Sequence, residues 1–293
     1  MIRVGTAGWA YEDWNTIVYP ARPPRGFDRL SLMASLFDTL EVNSSFYRIP
    51  PARMTEGWLA RIEHNPRFTF TAKLFRGFTH ERTAGEGERR AFAGALAPLD
   101  SAGRLGCVLA QFPMSFHDTV ENRDYLDATL AGLEAFPLAV EFRHASWDRD
   151  ETRELLSARS AAFVNIDQPA LSDNLGPTGY VTAPIAYFRF HGRNAPKWFG
   201  PDTTNEQRYN YLYSDEELAP WVGRISDAAR QASRGVYAIL NNHFRGQAVA
   251  NALELQRSLI GEVRAVPETL RTAYPALEAV TRVEREAQPR LFG

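Results

Sequence analysis

Apolar and polar positions along this chain fall into short β-rich runs, each followed by a longer segment with helical spacing, the rhythm of parallel βα units. The runs are Ile2 to Gly8, Thr39 to Asn43, Phe68 to Leu74, Gly106 to Phe112, Leu138 to Arg143, Ala162 to Asp167, Ile185 to His191 and Gly235 to Asn242. Between them, Arg29 to Phe37, Met54 to Ile62, Glu88 to Ala97, Arg123 to Phe136, Asp150 to Arg159 and Asp215 to Ala232 read as amphipathic helices, and Gln247 to Leu259 follows the last run. Ser214-Asp215-Glu216-Glu217 supplies a polar cap and an acidic first turn for one of them. Tandem βα units close into a barrel or open into a doubly wound sheet, and the count of eight predicts the barrel. The expected fold class is therefore α/β, a (β/α)₈ TIM barrel forming one domain over residues 1–293. No Gly-x-Gly-x-x-Gly follows any run and no Walker-type loop occurs, which removes the main support for a nucleotide fold.

Strand side chains alternate between the barrel interior and the helix layer. On that alternation Val42, Phe142, Ile166, Phe188 and Phe190 are expected to face helices. Glu41, Asn43, Glu141, Arg143, Asn165, Asp167, Arg189 and His191 then face inward, and Lys73, Gln111, Asn241 and His243 continue the polar set. Ionisable or amide groups at the C-terminal ends of seven strands are the pattern of a barrel active site, whereas ordinary barrel interiors are layered with branched apolar side chains. For any single member, a buried ion pair that only braces the barrel mouth is an even alternative; for the whole set it is a poor one. Aromatic residues gather at the same end: Trp9, Tyr11 and Trp14 after the first run, Phe46 and Tyr47 after the second, Trp147 and Trp198 after the fifth and seventh. Such walls suit sugars or nucleobases. The stretches Arg76 to Gly87 and Gly192 to Tyr213 are longer than connection requires, as lids and binding loops are.

Composition narrows the partners. The 33 basic and 35 acidic residues give a formal charge of −2, so no global field draws the chain to nucleic acid or an anionic membrane. No apolar stretch approaches the roughly 18 residues of a spanning helix. The N-terminus enters a strand pattern directly, and the lone Cys107 points to a reducing compartment; the expected location is cytoplasmic, with a small-molecule substrate as partner. Three candidate anions (Glu41, Glu141, Asp167) nearly balance three cations (Lys73, Arg143, Arg189), and no His-x-x-x-His spacing occurs, so neither a metal nor another cofactor is expected.

Several ordered motifs carry a resemblance. Gly5-Thr6-Ala7-Gly8-Trp9-Ala10-Tyr11 with Trp14 and Tyr19-Pro20, then Glu41-Val42-Asn43-Ser44-Ser45-Phe46-Tyr47, Phe68 to Lys73 with His80, Gln111-Phe112-Pro113, Glu141-Phe142-Arg143-His144 with Trp147, Arg189-Phe190-His191-Gly192-Arg193 and Asn241-Asn242-His243 resemble the YecE-like family, also called domain of unknown function seventy-two. The resemblance spans residues 2 to about 260. It implies a TIM barrel loosely linked to sugar-isomerase-like barrels and brings no agreed catalytic residues. Asn15 and Val18 depart from a usual glycine and phenylalanine, and Leu240 from a common aromatic. The segment 267–293 lies outside it, with Glu278 to Glu286 expected as a charged surface helix.

Three functions compete at this stage. The leading one is an enzyme acting on a small polar, carbohydrate-like metabolite by acid/base proton transfer, isomerase- or lyase-like. In it Glu41 or Glu141 is the base, His191 or His243 the acid, and Lys73, Arg143 and Arg189 stabilise developing negative charge, with Asp167 a further catalytic candidate. Trp9, Tyr11, Trp14, Asn43, Gln111, Arg143, Asn241 and Asn242 would bind substrate. The second is metal-dependent phosphodiester chemistry recruiting Glu41, Glu141, Asp167, His191 and His243. The third is a ligand- or partner-binding barrel without turnover. Because alternate strands supply each layer, Glu141 is expected to be ion-paired, while Glu41 and Asp167 lack an Arg or Lys nitrogen within about 4 Å.

Overall fold

The computed structural model describes residues 1–198 and 204–283. Eight parallel strands close into a barrel in the order β1 (Ile2–Ala7), β2 (Thr39–Val42), β3 (Thr69–Lys73), β4 (Leu105–Gln111), β5 (Leu138–Glu141), β6 (Ala161–Asp167), β7 (Ile185–Phe190) and β8 (Gly235–Leu240), and β8 pairs back onto β1. Each strand lies within two residues of its expected ends. The connections carry α1 (Arg29–Leu36), α2 (Ser44–Tyr47), α3 (Ala52–Arg61), α4 (Arg76–Thr79), α5 (Glu86–Ser101), α6 (Val120–Ala131), α7 (Asp150–Ala158), α8 (Ala195–Trp198), α9 (Asn205–Arg208) and α10 (Asp215–Gln231). α11 (Gln247–Ile260) and α12 (Glu268–Ala273) follow β8. No helix among the described residues is long and apolar enough to cross a membrane.

Close approach of strands explains one glycine. A Cβ at Gly5 would collide with the Thr39 carbonyl oxygen, so β1 and β2 meet at this distance only because position 5 has no side chain. The capping box forms at α10, where the Ser214 hydroxyl accepts from the Glu217 amide and the Glu217 carboxylate accepts from the Ser214 amide.

Register sets which residues look inward, because neighbours paired across parallel strands point to the same side. Glu41 pairs with Ala7 and Thr71, Thr71 with Cys107, Lys73 with Leu109, and Gln111 with Glu141. Leu109 pairs with Ala139, and Ala139 with Ala162. Counting along β6 in steps of two then puts Val164 and Ile166 inside, and their partners on β7 are Tyr187 and Arg189. Asn165 and Asp167 pair instead with Phe188 and Phe190 and face the helix layer.

This corrects the expected phase of β6. Ile166 is interior, and Asn165 and Asp167 are not. The physical reason lies in what covers the strand. The 168–184 connection forms no helix. The Asn165 side chain pins this connection, its Oδ1 accepting from the Thr178 hydroxyl (2.8 Å) and the Tyr180 amide (2.7 Å) and its Nδ2 donating to the Tyr180 carbonyl. Asp167 plays the same part higher up, as described below.

The tail is a second correction. Glu278 and Ala279 end a short 3₁₀ turn, Pro275–Ala279, and Thr281–Val283 (β10) then pairs in parallel with Arg264–Val266 (β9). Leu277 and Thr281 turn inward and the run is β-branched, so a strand replaces the expected helix. Residues 284–286 lie outside the described part.

Candidate functional site

At the C-terminal ends of the strands a cavity of about 860 Å³ opens. Its floor is an ion-paired layer. Arg189 on β7 reaches across the barrel and forks onto Glu41 of β2, Nε to Oε2 at 2.9 Å and Nη2 to Oε1 at 2.5 Å. Its remaining Nη1 donates to Glu141 Oε2 of β5 at 2.9 Å. The Tyr187 hydroxyl donates to Glu41 Oε2 at 2.8 Å. Arg143 Nε lies 2.6 Å from Glu141 Oε1. Both carboxylates are fully buried, and two guanidiniums neutralise them. Burial pushes the Glu141 carboxyl up, but Arg143 and Arg189 outweigh it and hold the group well below the usual carboxylate range.

His191 is sealed into the same layer, its Nε2 lying 3.2 Å from Glu141 Oε1. The Asn241 amide donates to its Nδ1 at 3.0 Å, which places the ring proton on Nε2. Burial, with Arg143 second, lowers its pKa to about 3, so the ring is neutral.

Lys73, at the end of β3, is different. Its Nζ sits 4.0 Å from the centre of the Phe46 ring supplied by α2. Among the described residues it has no carboxylate within 4.0 Å, although it shares the cavity with Arg143 and Arg189. Burial first, then the Arg189 guanidinium, lowers its pKa to about 7, with Glu141 and Glu41 offsetting only part. The uncharged amine is therefore accessible near neutral pH.

The walls combine aromatic faces with amides. The Tyr11 ring stacks on His243 at 4.3 Å and 6°. Tyr209 leans on the other side of His243 at 5.1 Å, and Trp198 lies 6.1 Å from Tyr209. Burial lowers the His243 pKa to about 4, and its buried Nδ1 has no hydrogen-bond partner. The Asn43 Oδ1 is also buried without one. Unsatisfied polar atoms on residues that line a cavity mark it as a place for a polar ligand.

The expected residues sort into three groups. Trp9, Tyr11, Asn43, Lys73, Gln111, Arg143, Arg189, Asn241 and His243 line the cavity. Glu41, Glu141 and His191 lie directly beneath it, fully buried. Trp14, Asn242 and Asp167 do not reach it. Trp14 is buried with Nε1 donating to the His243 carbonyl at 2.7 Å, so it supports the wall from behind. Asn242 points to the outer face and donates to the Tyr211 carbonyl and to Asn251 Oδ1.

Asp167 is the clearest correction. It accepts from Trp221 Nε1 of α10 at 2.7 Å, from the Tyr213 hydroxyl at 2.8 Å, and from Arg193 at 2.9 Å through Nε and 2.6 Å through Nη2. Glu41 is likewise bound by Arg189. The expectation that both lack a cation within 4 Å is overturned, while Glu141 is paired as expected. The donor set of the metal-dependent reading therefore does not assemble: Asp167 is on the far side of the wall, and Glu41 and Glu141 are tied to guanidiniums.

Arg76, His80, Gln168, Arg208 and Tyr209 also line the cavity but were not placed in the expected site, apart from His80 as part of a motif. Four of these lie in the two long loops, whose length was the available sign. Lys73 carried its own sign. Of the 33 basic residues only two are lysines, Lys73 and Lys197.

Fold and site together define a (β/α)₈ barrel protein with a polar, aromatic-walled cavity at the C-terminal ends of its strands. The family described as "Protein of unknown function DUF72" matches residues 3–276. This chain belongs to the DUF72 family. It is 30% identical over 270 residues to the UPF0759 protein YunF of Bacillus subtilis, covering 87% of this chain and 93% of that protein. Among solved structures it is similar to a DUF72 family protein from Thermotoga maritima (TM-score 0.76, 35% identity, 88% of this chain and 99% of that one). A DUF72 family protein from Enterococcus faecalis is similar too (TM-score 0.77, 28% identity, 88% and 95%).

Proposed function

We propose that this protein is an enzyme that moves protons on a small polar, carbohydrate-like metabolite, with Lys73 as the residue that drives the transfer. The observation that carries the reading is the placement of Lys73, an amine in a cavity beside two arginines, with no carboxylate within 4.0 Å among the described residues. Glu41 and Glu141, the bases expected from the sequence, already accept from arginines, and deprotonating work would require them to give those contacts up. In this reading their role is to fix Arg189 and Arg143. Those guanidiniums face the cavity and stabilise the enolate-like charge that builds up when a proton leaves carbon. Asn43, Gln111 and Asn241 would meet hydroxyl groups, and the Trp9, Tyr11, Trp198 and Tyr209 rings would meet the C–H faces of a sugar.

The test is exchange of carbon-bound hydrogen. The protein is incubated in deuterium oxide with a panel of aldoses, ketoses and hydroxy-ketones, and incorporation is followed by NMR. The expected result is deuterium entering next to the carbonyl of at least one compound, at a rate that rises with pH through about 7 as Lys73 loses its proton, and that drops about 100-fold or more in Lys73→Met. No incorporation across the panel, or incorporation indifferent to Lys73, sinks the proposal.

A further inference from the structure

We propose that Lys73 forms a covalent imine with the carbonyl carbon of its substrate, which makes the substrate class a small hydroxylated aldehyde or ketone. The inference rests on reading the cavity as an active site and adds to it the manner of bonding.

The first support is chemical selection within the chain. This sequence meets its need for positive charge with arginine almost everywhere, since two of 33 basic residues are lysines. Lys197 is exposed on α8. Lys73 stands at the cavity, where Arg189 and Arg143 already supply permanent cations. A guanidinium never deprotonates in a protein, whereas a buried ammonium beside other cations can. An amine at this position offers what an arginine cannot, a lone pair.

The second support is geometry. Lys73 extends from the end of β3, a rigid element, and Phe46 covers one side of its Nζ at 4.0 Å. Phe46 is itself held edge-on by Tyr47 at 5.1 Å and His80 at 4.8 Å. The amine is thus shielded on one side and open to the cavity on the other. Desolvation and neighbouring cations are the two general ways to activate a lysine nucleophile, and both act here.

The step balances without a co-reactant. The neutral Nζ attacks the carbonyl carbon, a C–N bond forms, and a proton moves from nitrogen to the former carbonyl oxygen, giving a carbinolamine. The C–O bond then breaks, the hydroxyl leaves as water with one further proton from solvent, and the C=N iminium remains on Lys73. A C–H next to an iminium is more acidic than one next to the parent carbonyl; while the bond stands the nitrogen has no free lone pair, so Lys73 draws off the electrons of the breaking C–H bond and the proton itself passes to water in the cavity. Hydrolysis by one water reverses the step and frees the amine.

The experiment is reductive trapping. The full chain is mixed separately with dihydroxyacetone, glyceraldehyde and hydroxyacetone, treated with borohydride near neutral pH, digested, and mapped by peptide mass spectrometry. Lys197 is an internal control in the same molecule. The expected result, with at least one compound, is a mass gain equal to the compound less its one carbonyl oxygen on the Lys73 peptide, in preference to Lys197 by about tenfold or more, because the exposed amine is less than about one part in a thousand neutral at this pH. Lys73→Arg should lose the adduct. A smaller preference, an even distribution or no adduct on Lys73 overturns the proposal, and this outcome is read on the unaltered protein. Deuterium exchange without an adduct would sink the imine and leave proton transfer standing; an adduct without exchange would do the reverse.

Discussion

Lys73 makes opposite demands on activity and stability. Its folded pKa of about 7 lies below the ordinary lysine value of about 10.4, so between those values the unfolded chain binds more protons than the folded one and stability rises with pH. Below about pH 7 the penalty of a charged amine in the cavity is fully present. Lys73→Met is therefore expected to melt at a higher temperature than the parent at pH 6, with the gap closing toward pH 10. A constant gap would show that the amine is not desolvated. Glu41→Gln is expected to do the opposite, lowering unfolding free energy by about 3–5 kcal/mol in urea, because it leaves the Arg189 fork without its main anion. A loss under about 1 kcal/mol would mean that the fork contributes little. The polar members of this layer were legible at the ends of the sequence runs, and so was the pairing of Glu141, but the pairing of Glu41 was not. An arginine side chain spans the barrel and joins β7 to both β2 and β5, so the odd and even strands do not keep separate charge sets.

Among the elements, β6 shows where sequence periodicity stops. Its expected phase came from polarity, with Asn165 and Asp167 assigned to the interior and Ile166 to the helices. In a parallel barrel both faces of a strand are buried, so polarity does not identify the interior; the register with β5 and β7 does. On β2 to β5, β7 and β8 the Glu, Lys, Gln, Arg and Asn residues do stand at inward positions, and there the polarity argument succeeds. Asp167 instead clamps α10 and the chain after β7 to the outside of the barrel through Trp221, Tyr213 and Arg193. Asp167→Asn removes the anion and turns an acceptor toward donors that an amide can only half satisfy. The expected loss is about 3–5 kcal/mol, read by urea unfolding. A near-neutral variant would show that Arg193 finds its other partner, Glu217, sufficient.

For the molecule as a whole, eightfold closure was the most legible feature, because it needs only the count of runs, while the β9 and β10 pair needed knowledge of what the tail packs against. Closure also fixes the fate of the lone cysteine. Cys107 pairs in register with Thr71 on the inner face of β4, has no exposed surface, and burial pushes its thiol well above the ordinary range. An alkylating reagent can reach this thiol only when strands separate, and every molecule holds one thiol. Thiol alkylation should therefore proceed at the rate of barrel opening, in step with loss of circular dichroism; a sulfur that reacts while the spectrum is intact would reveal a seam in the wall. The protein thus carries its own event counter, written irreversibly, one mark for each chain that has come apart.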